Sequence, residues 1–292
     1  MSKVRKAVIP VAGYGTRFLP YTKAVPKPML PILNVPAIQK IAKEAVDSGI
    51  EEILFVVGHK KEIIESHFQP FAELEEVLKK GNKTEFLKAI KYPEEFAKVK
   101  FAVQESQRGT ADAVLVARDF VGDEPFAVLF GDDYMYNDGR PVIGQLIDAY
   151  EQTGKTVIGV KKVPHKDVPK YASVEYSEQV GRLYKMTQVT EKPPLELVKS
   201  DLSPLGRYVL SPYMMDIFAN LKPGANGEYQ LTDGLDIEAK TNGAYAYEFE
   251  GKRYDMGDRL GFVKANIEEG LRDEKMKDDL KAYLIDLVKE LQ

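Results

Sequence analysis

The stretch Lys6-Ala7-Val8-Ile9-Pro10-Val11-Ala12-Gly13-Tyr14-Gly15-Thr16-Arg17 decides the fold class of this 292-residue chain. Residues 6–11 form a short apolar run of the kind found in strands buried on both faces, and the run stops at Ala12-Gly13. A buried strand that delivers a glycine loop is how an open α/β sheet begins. Ligands of such sheets bind at these loops, because glycines let backbone N–H groups approach phosphate oxygens. The dinucleotide fingerprint is absent, since Phe18 stands where the third glycine belongs, and so is the Gly-Lys-Ser/Thr of a Walker loop. Taken alone, a Gly-x-Gly turn is more often structural than functional. Arg17 and Lys27 change that balance by offering a fork and a mobile point charge for a triphosphate, although both also read as solvated surface cations.

Working outward, Pro20, Pro26, Pro28, Pro31 and Pro36 each remove a backbone donor, so no regular helix is expected before about Ala37. Ile38, Ile41, Ala42, Ala45 and Val46 then fall on one helix face that closes at Ser48-Gly49, and residues 53–57 are an apolar strand. The alternation continues with a strand at 99–104, a helix at 110–118, a strand at 126–130, a helix at 142–150 and a strand at 156–160. A mostly parallel, covered sheet follows from that order. Residues 71–91 read as a charged helical excursion without chemistry. After Lys161 the shorter pieces 172–176, 183–189 and 206–210 read as added antiparallel strands that shape a second substrate site. Leu280, Tyr283, Leu284, Leu287 and Leu291 make an amphipathic stripe, which divides the chain into a main domain at 1–272 and a terminal helix at 273–292. Packing of that helix on its own domain and contact with another subunit are both open.

Composition narrows the function. Lys plus Arg number 41 and Asp plus Glu 45, a net charge of −4 that gives no bulk reason to expect nucleic acid or an anionic membrane. The chain has no cysteine, which excludes disulfides, thiolate zinc sites and cysteine nucleophiles. No apolar run approaches the roughly 20 residues of a membrane helix, no signal segment is expected, and a cytoplasmic protein is anticipated. His59, His67 and His165 match no metal spacing and read as structural or surface residues.

Two longer blocks, residues 7–20 (AVIPVAGYGTRFLP) and 22–31 (TKAVPKPMLP), closely resemble the signature of bacterial UTP–glucose-1-phosphate uridylyltransferases. The resemblance continues through residues 121–125, Gly131-Asp132-Asp133, Glu191-Lys192-Pro193, residues 206–210, residues 227–233 and Tyr254-Asp255-Met256-Gly257-Asp258, and so spans nearly the whole chain. It implies a Rossmann-like nucleotidyltransferase domain that works as a homodimer or homotetramer and makes UDP-glucose and pyrophosphate from UTP and glucose 1-phosphate. Ala12, Gly13, Gly15 and Thr16 resemble the loop around base and phosphates, and Arg17 and Lys27 the triphosphate clamp. Gln104 with Gly109 resembles the pair holding the pyrimidine edge, a role suited to an amide that both donates and accepts. Asp132 and Asp255 resemble the carboxylates that bind Mg²⁺, a hard ion that takes oxygen ligands and substrate phosphates. Asp132-Asp133 also reads as a plain turn after a strand. Glu191 and Lys192 resemble the groups that accept from glucose hydroxyls and pair with the sugar phosphate, with Asp133, Ala172 and Gly206 beside them.

The chain departs from the family at two places: Tyr171-Ala172 where Tyr-Gly is common, and Thr110-Ala111-Asp112-Ala113 where Leu-Gly-His-Ala is common. A relative using dTTP or another sugar 1-phosphate, and a sugar-nucleotide-binding module without turnover, are therefore the alternatives. The chemistry implied is in-line attack of the sugar phosphate on the α-phosphorus. That reaction needs positioning and charge neutralisation but no covalent nucleophile.

Overall fold

The computed structural model describes residues 3–96, 98–224 and 227–291. Its first half runs β1 (Lys6–Pro10), β2 (Pro31–Ile32), β3 (Val35–Pro36), α1 (Ala37–Asp47), β4 (Glu52–Val57), α2 (Lys61–His67), α3 (Ala72–Lys80), α4 (Thr84–Lys91) and β5 (Lys98–Val103). Then come α5 (Thr110–Leu115), α6 (Arg118–Val121), β6 (Phe126–Leu129), β7 (Asp133–Tyr136), α7 (Val142–Thr153) and β8 (Thr156–Lys162). The remainder is β9 (Ala172–Val180), β10 (Leu183–Glu191), β11 (Leu202–Leu210), α8 (Met214–Ala219), α9 (Leu231–Thr241), β12 (Ala244–Glu248), β13 (Lys252–Asp255), α10 (Arg259–Gly270) and α11 (Lys277–Glu290).

Nine strands form one sheet in the order β5-β4-β1-β6-β11-β8-β12-β10-β9. The pairs among β5, β4, β1 and β6 and the pair β8–β12 are parallel, whereas β11 and β10 run against their neighbours. The mixed, mainly parallel sheet with added antiparallel strands is therefore as expected. Its centre is apolar on both faces: Val8, Val128 and Ile158 face one core, and Ile9, Phe55 and Leu129 face the other. The strand order reverses at β1, which has β4 on one side and β6 on the other. Such a reversal splays the flanking loops apart at the carboxyl ends of the strands and leaves a crevice there.

Two elements differ from the sequence reading, and a third is defined more closely. The helix expected at 110–118 breaks after Leu115, and the chain turns at Val116-Ala117 before α6; the turn lets Ala117 and Val121, both fully buried, enter the core. The excursion at 71–91 is helical, as read, and consists of two helices split at Gly81-Asn82. The strand expected at 206–210 begins four residues earlier, and it passes through Pro204 and Gly206 by an irregularity in its pairing with β8 between Pro204 and Tyr208. A proline without a donor and a glycine at φ 64° are tolerated where the ladder is interrupted.

In α11, Leu280, Leu284 and Leu287 are half-buried, and Leu280 lies against Gly270 at the end of α10. Tyr283 and Leu291 of the expected stripe are exposed. Among the described residues no helix is long and apolar enough to cross a membrane.

Candidate active site

The glycine loop leaves β1 at the strand-order reversal. Val11 N–H still bonds the Val56 carbonyl at 2.8 Å, and Ala12 is pressed against Gly58, where a Cβ would meet the Ala12 carbonyl oxygen at 2.6 Å. Gly15 then adopts φ 65°, a conformation open to glycine, and starts the first of three single 3₁₀ turns, at Thr16–Phe18, Tyr21–Lys23 and Lys27–Met29. Phe18 N–H and Thr22 Oγ1–H both bond the Gly15 carbonyl, at 2.9 Å each. The prolines thus produce tight turns rather than an open loop, and these turns bring Lys27 back to the sheet. Its Nζ lies 2.6 Å from Oδ2 of Asp132.

Asp132 follows β6, and Asp255 ends β13. The ribbon β7–β13 sets Asp255 opposite Asp133, and Met256 N–H bonds the Asp132 carbonyl at 2.8 Å. Gly257, next in the chain, lies where three functional groups meet. A Cβ on it would stand 2.8 Å from Asp255 Oδ1, 2.9 Å from Arg17 Nη2 and 3.0 Å from Asp132 Oδ2. Burial pushes the Asp132 carboxyl up, but the Lys27 ammonium and the Arg253 and Arg17 guanidinium groups outweigh it and hold it below its ordinary range. Asp133, buried behind it, is pushed up to about 6 by burial and by Asp132, against the pull of Arg253. Two carboxylates with different environments thus sit side by side.

A cleft of about 590 Å³ joins these groups to the antiparallel half of the sheet. Ala12, Gly13, Arg17, Gln104, Gly109, Asp132, Asp133, Ala172, Glu191, Lys192, Gly206 and Asp255 all line it. Gly15 and Thr16 stand outside that wall, because they form the turn that supports it, and Lys27 reaches Asp132 from behind. On the side of the antiparallel strands, Glu191 ends β10 and accepts from Thr232 Oγ1 at 2.9 Å, and its other oxygen lies 3.6 Å from Lys192 Nζ. Lys192 has φ 41°, a left-handed conformation uncommon for a side chain of its size, and its N–H is held by the Tyr171 carbonyl at 2.8 Å. Gly206 lets Asp133 come close, since a Cβ there would lie 2.2 Å from Asp133 Oδ2. At the other end, Gln107 Nε2 bonds the Ala12 carbonyl at 2.6 Å and ties the loop after β5 to the glycine loop. Thr110 Oγ1 accepts from Leu231 N–H at 2.9 Å and closes that end with the start of α9.

Sequence reasoning missed several members of the site. Arg253 Nε donates to Asp133 Oδ1 at 2.6 Å, its Nη2 lies 3.6 Å from Asp255 Oδ2, and its guanidinium covers the Tyr171 ring at 5.5 Å. The signal was its place two residues before Asp255, on the same face of a strand. Beneath the site Arg207, fully buried, is held by Glu44 at 2.7 Å and also donates to the Asp133 carbonyl at 2.7 Å. Neither Glu44 on α1 nor Arg207 on β11 carries a local signal. The histidines take no part in the cleft: His59 bonds Tyr14, His67 bonds Gln39 and His165 bonds Asp201.

Among the described residues no three His, Asp or Glu side chains converge into a protein-only metal cage. Two carboxylates, Asp132 and Asp255, suit an ion such as Mg²⁺, which keeps waters and substrate phosphates in its shell. The arrangement as a whole is a cationic and carboxylate cluster at the mouth of a glycine loop, able to hold two phosphate-bearing ligands end to end.

Residues 6–270 match the nucleotidyl transferase family model. Over 284 residues the chain is 48% identical to UTP–glucose-1-phosphate uridylyltransferase 2 of Staphylococcus saprophyticus, covering 97% of this chain and 98% of that one. It superposes on a UTP-bound UGPase from Acinetobacter baumannii with a TM-score of 0.90 at 35% identity, over 97% of this chain and 99% of the other. A UDP-glucose pyrophosphorylase complexed with UDP-glucose superposes with a TM-score of 0.85 at 34% identity, over 92% and 100% of the two chains.

Proposed function

We propose that this chain, which belongs to the nucleotidyl transferase family and within it to the UTP–glucose-1-phosphate uridylyltransferases, transfers uridylyl from UTP to glucose 1-phosphate and releases pyrophosphate. The observation that carries the assignment of the chemical centre is the convergence of Arg17, Asp132 and Asp255 on one point beside Gly257, at the mouth of the glycine loop.

The roles follow from charge and position. Arg17 and Lys27 grip the triphosphate, Lys192 pairs with the phosphate of the sugar, and Glu191 accepts from sugar hydroxyls. Lys27 and Asp132 compete with a polyanion for one another: a triphosphate that takes the ammonium releases a carboxylate to face a cation. Asp132 and Asp255 would hold Mg²⁺, which supplies charge neutralisation at the phosphates when bound. Arg253 keeps Asp133 and Asp255 in register. With the two anions held in line, an oxygen of the sugar phosphate attacks the α-phosphorus, the bond to pyrophosphate breaks, and no residue forms a covalent intermediate. Removing Asp132 or Lys27 is expected to cost on the order of 10²-fold in rate.

The test is pyrophosphate release with Mg²⁺ across UTP and dTTP, each paired with glucose, galactose and N-acetylglucosamine 1-phosphates, with Asp132→Ala and EDTA as controls. Turnover confined to UTP and glucose 1-phosphate, cut on the order of 10²-fold in Asp132→Ala and lost in EDTA, is expected. Preference for another pair would move the specificity to Ala172 or to residues 110–112, and no pyrophosphate from any pair would refute the reading. A homo-oligomer is part of the proposal, supported by the exposed apolar side chains of Leu260 and Val263 on α10 and Tyr283, Ile285 and Val288 on α11. Light scattering that reports a monomer at working concentration would remove it.

A further inference from the structure

The base end of the cleft contains a buried carboxylate that the reaction itself does not use. Asp112, on the first turn of α5, divides its two oxygens between Gln104 and Arg108: Oδ2 accepts from Gln104 Nε2 at 2.8 Å, and Oδ1 accepts from Arg108 Nη2 at 2.6 Å. Gln104 is itself buried and its backbone N–H bonds the Val57 carbonyl at 2.9 Å, so the side chain starts from a fixed point. A second acceptor, the Gly109 carbonyl, lies 3.4 Å from the same Nε2. An amide end facing two acceptors has to be the NH₂ end, because the flipped amide would set its carbonyl oxygen against a carboxylate oxygen with no proton between them. Arg108 prevents the carboxylate from turning away; it holds the second oxygen and packs over the Tyr229 ring at 5.6 Å. Oε1 of Gln104 is the end left over. Gln104 lines the cleft, and Oε1 accepts from no group among the described residues.

We propose that Asp112 is a positioning residue for base choice: by holding the amide nitrogen of Gln104 it presents Oε1 to the cleft as an acceptor, and so selects a pyrimidine with an N–H at ring position 3 over one with a lone pair there. Uracil and thymine have that N–H, and cytosine has the lone pair. The inference rests on uridylyl transfer for the identity of the ligand and on Gln104 lining the cleft for the place of the base. A pocket that must leave a buried polar group unpaired rejects the wrong ligand far more strongly than one that merely mismatches in shape.

The experiment compares kcat/KM for UTP and CTP at saturating glucose 1-phosphate in the wild type and in Asp112→Asn. Asparagine keeps the shape but offers Gln104 a donor as well as an acceptor, so both orientations of the glutamine amide become available. The ratio of kcat/KM for UTP to that for CTP is expected to fall at least about tenfold, while KM for glucose 1-phosphate stays within about twofold. A merely structural Asp112 would depress both nucleotides together, and an unchanged ratio overturns the inference. A second measurement needs no variant: 3-methyluridine triphosphate, in which a methyl group replaces the N–H, is expected to inhibit the wild type at least about tenfold more weakly than the KM for UTP would imply. Inhibition as strong as UTP binding overturns the inference even if Asp112→Asn does not fold. Turnover of UTP with either negative result sinks this inference alone, whereas no turnover of UTP in the wild type sinks the proposed function and the inference with it.

Discussion

Replacing Gly257 by alanine adds one methyl group at the point where the site converges. That methyl carbon would lie 2.8, 2.9 and 3.0 Å from Asp255 Oδ1, Arg17 Nη2 and Asp132 Oδ2. Non-bonded contacts to carbon relax at about 3.5 Å, so each group must retreat by roughly 0.5–0.7 Å. All three are terminal side-chain atoms and none is backbone, so the fold itself need not move, but Asp132 Oδ2 must shift together with Lys27, and Asp255 Oδ1 against the Gly257 N–H that it accepts from. Gly257 is also outside the positive-φ glycines, and restricting the unfolded chain at such a position stabilises by about 0.4–1 kcal/mol. A misplacement of about 1 Å in a reacting assembly costs on the order of 10²-fold. Three groups displaced by half to two-thirds of that distance should lower kcat by about 10- to 100-fold, or about 1.4–2.8 kcal/mol of activation free energy. Pyrophosphate release and urea unfolding, measured on the same preparation, check both halves of the statement: a slower enzyme of equal or greater stability. An unimpaired rate would refute the reasoning, because the three side chains would then not converge at Gly257 during turnover.

Two further outcomes concern the scaffold. Glu44→Ala leaves the fully buried Arg207 guanidinium without its carboxylate, and it should destabilise by about 3–5 kcal/mol in urea unfolding; a loss under about 1 kcal/mol would mean that the pair is not buried as a unit. Burial lowers the pKa of His67 below its ordinary 6.5, so the unfolded chain takes up that proton more readily than the folded one. Its contribution to stability is therefore complete above 6.5 and declines as the pH falls below it. His67→Gln, whose amide can still donate to Gln39 Oε1, should lose less stability than the wild type between about pH 7.5 and 5.5; equal losses would exclude His67 as the source.

Much of the architecture could be read locally. The strand that carries Val8 and Ile9, the helix face of Ile38, Ile41 and Ala45, and the apolar strand around Phe55 all announce themselves through period and punctuation, which act over a few residues. Asp132, which follows an apolar strand, read locally as a turn as readily as a ligand-binding acid, and only the resemblance that pairs it with Asp255 singled it out. The elements that went astray are those in which a local rule met a tertiary demand. Pro204 argues against a strand, so the strand was expected to begin only at Gly206, yet β11 starts at Leu202 and passes through the proline because the ladder to β8 is interrupted there. The helix at 110–118 breaks because Ala117 and Val121 are needed in the core.

The amino-acid order alone determined the mainly parallel α/β sheet, the glycine loop at its first strand, and the residue types available for phosphate and sugar, since each depends on neighbours in sequence. Only the tertiary structure decided which of them meet. Asp255 reaches Asp132 because β13 pairs with β7; Arg253, on the same strand as Asp255, braces that acid and Asp133; Arg207 beneath the site is anchored by Glu44; and Gly257 leaves Arg17, Asp132 and Asp255 their common space. Those relations arise from strand register, buried charge pairing and excluded volume between segments far apart in the chain, and no pattern within a short window records them.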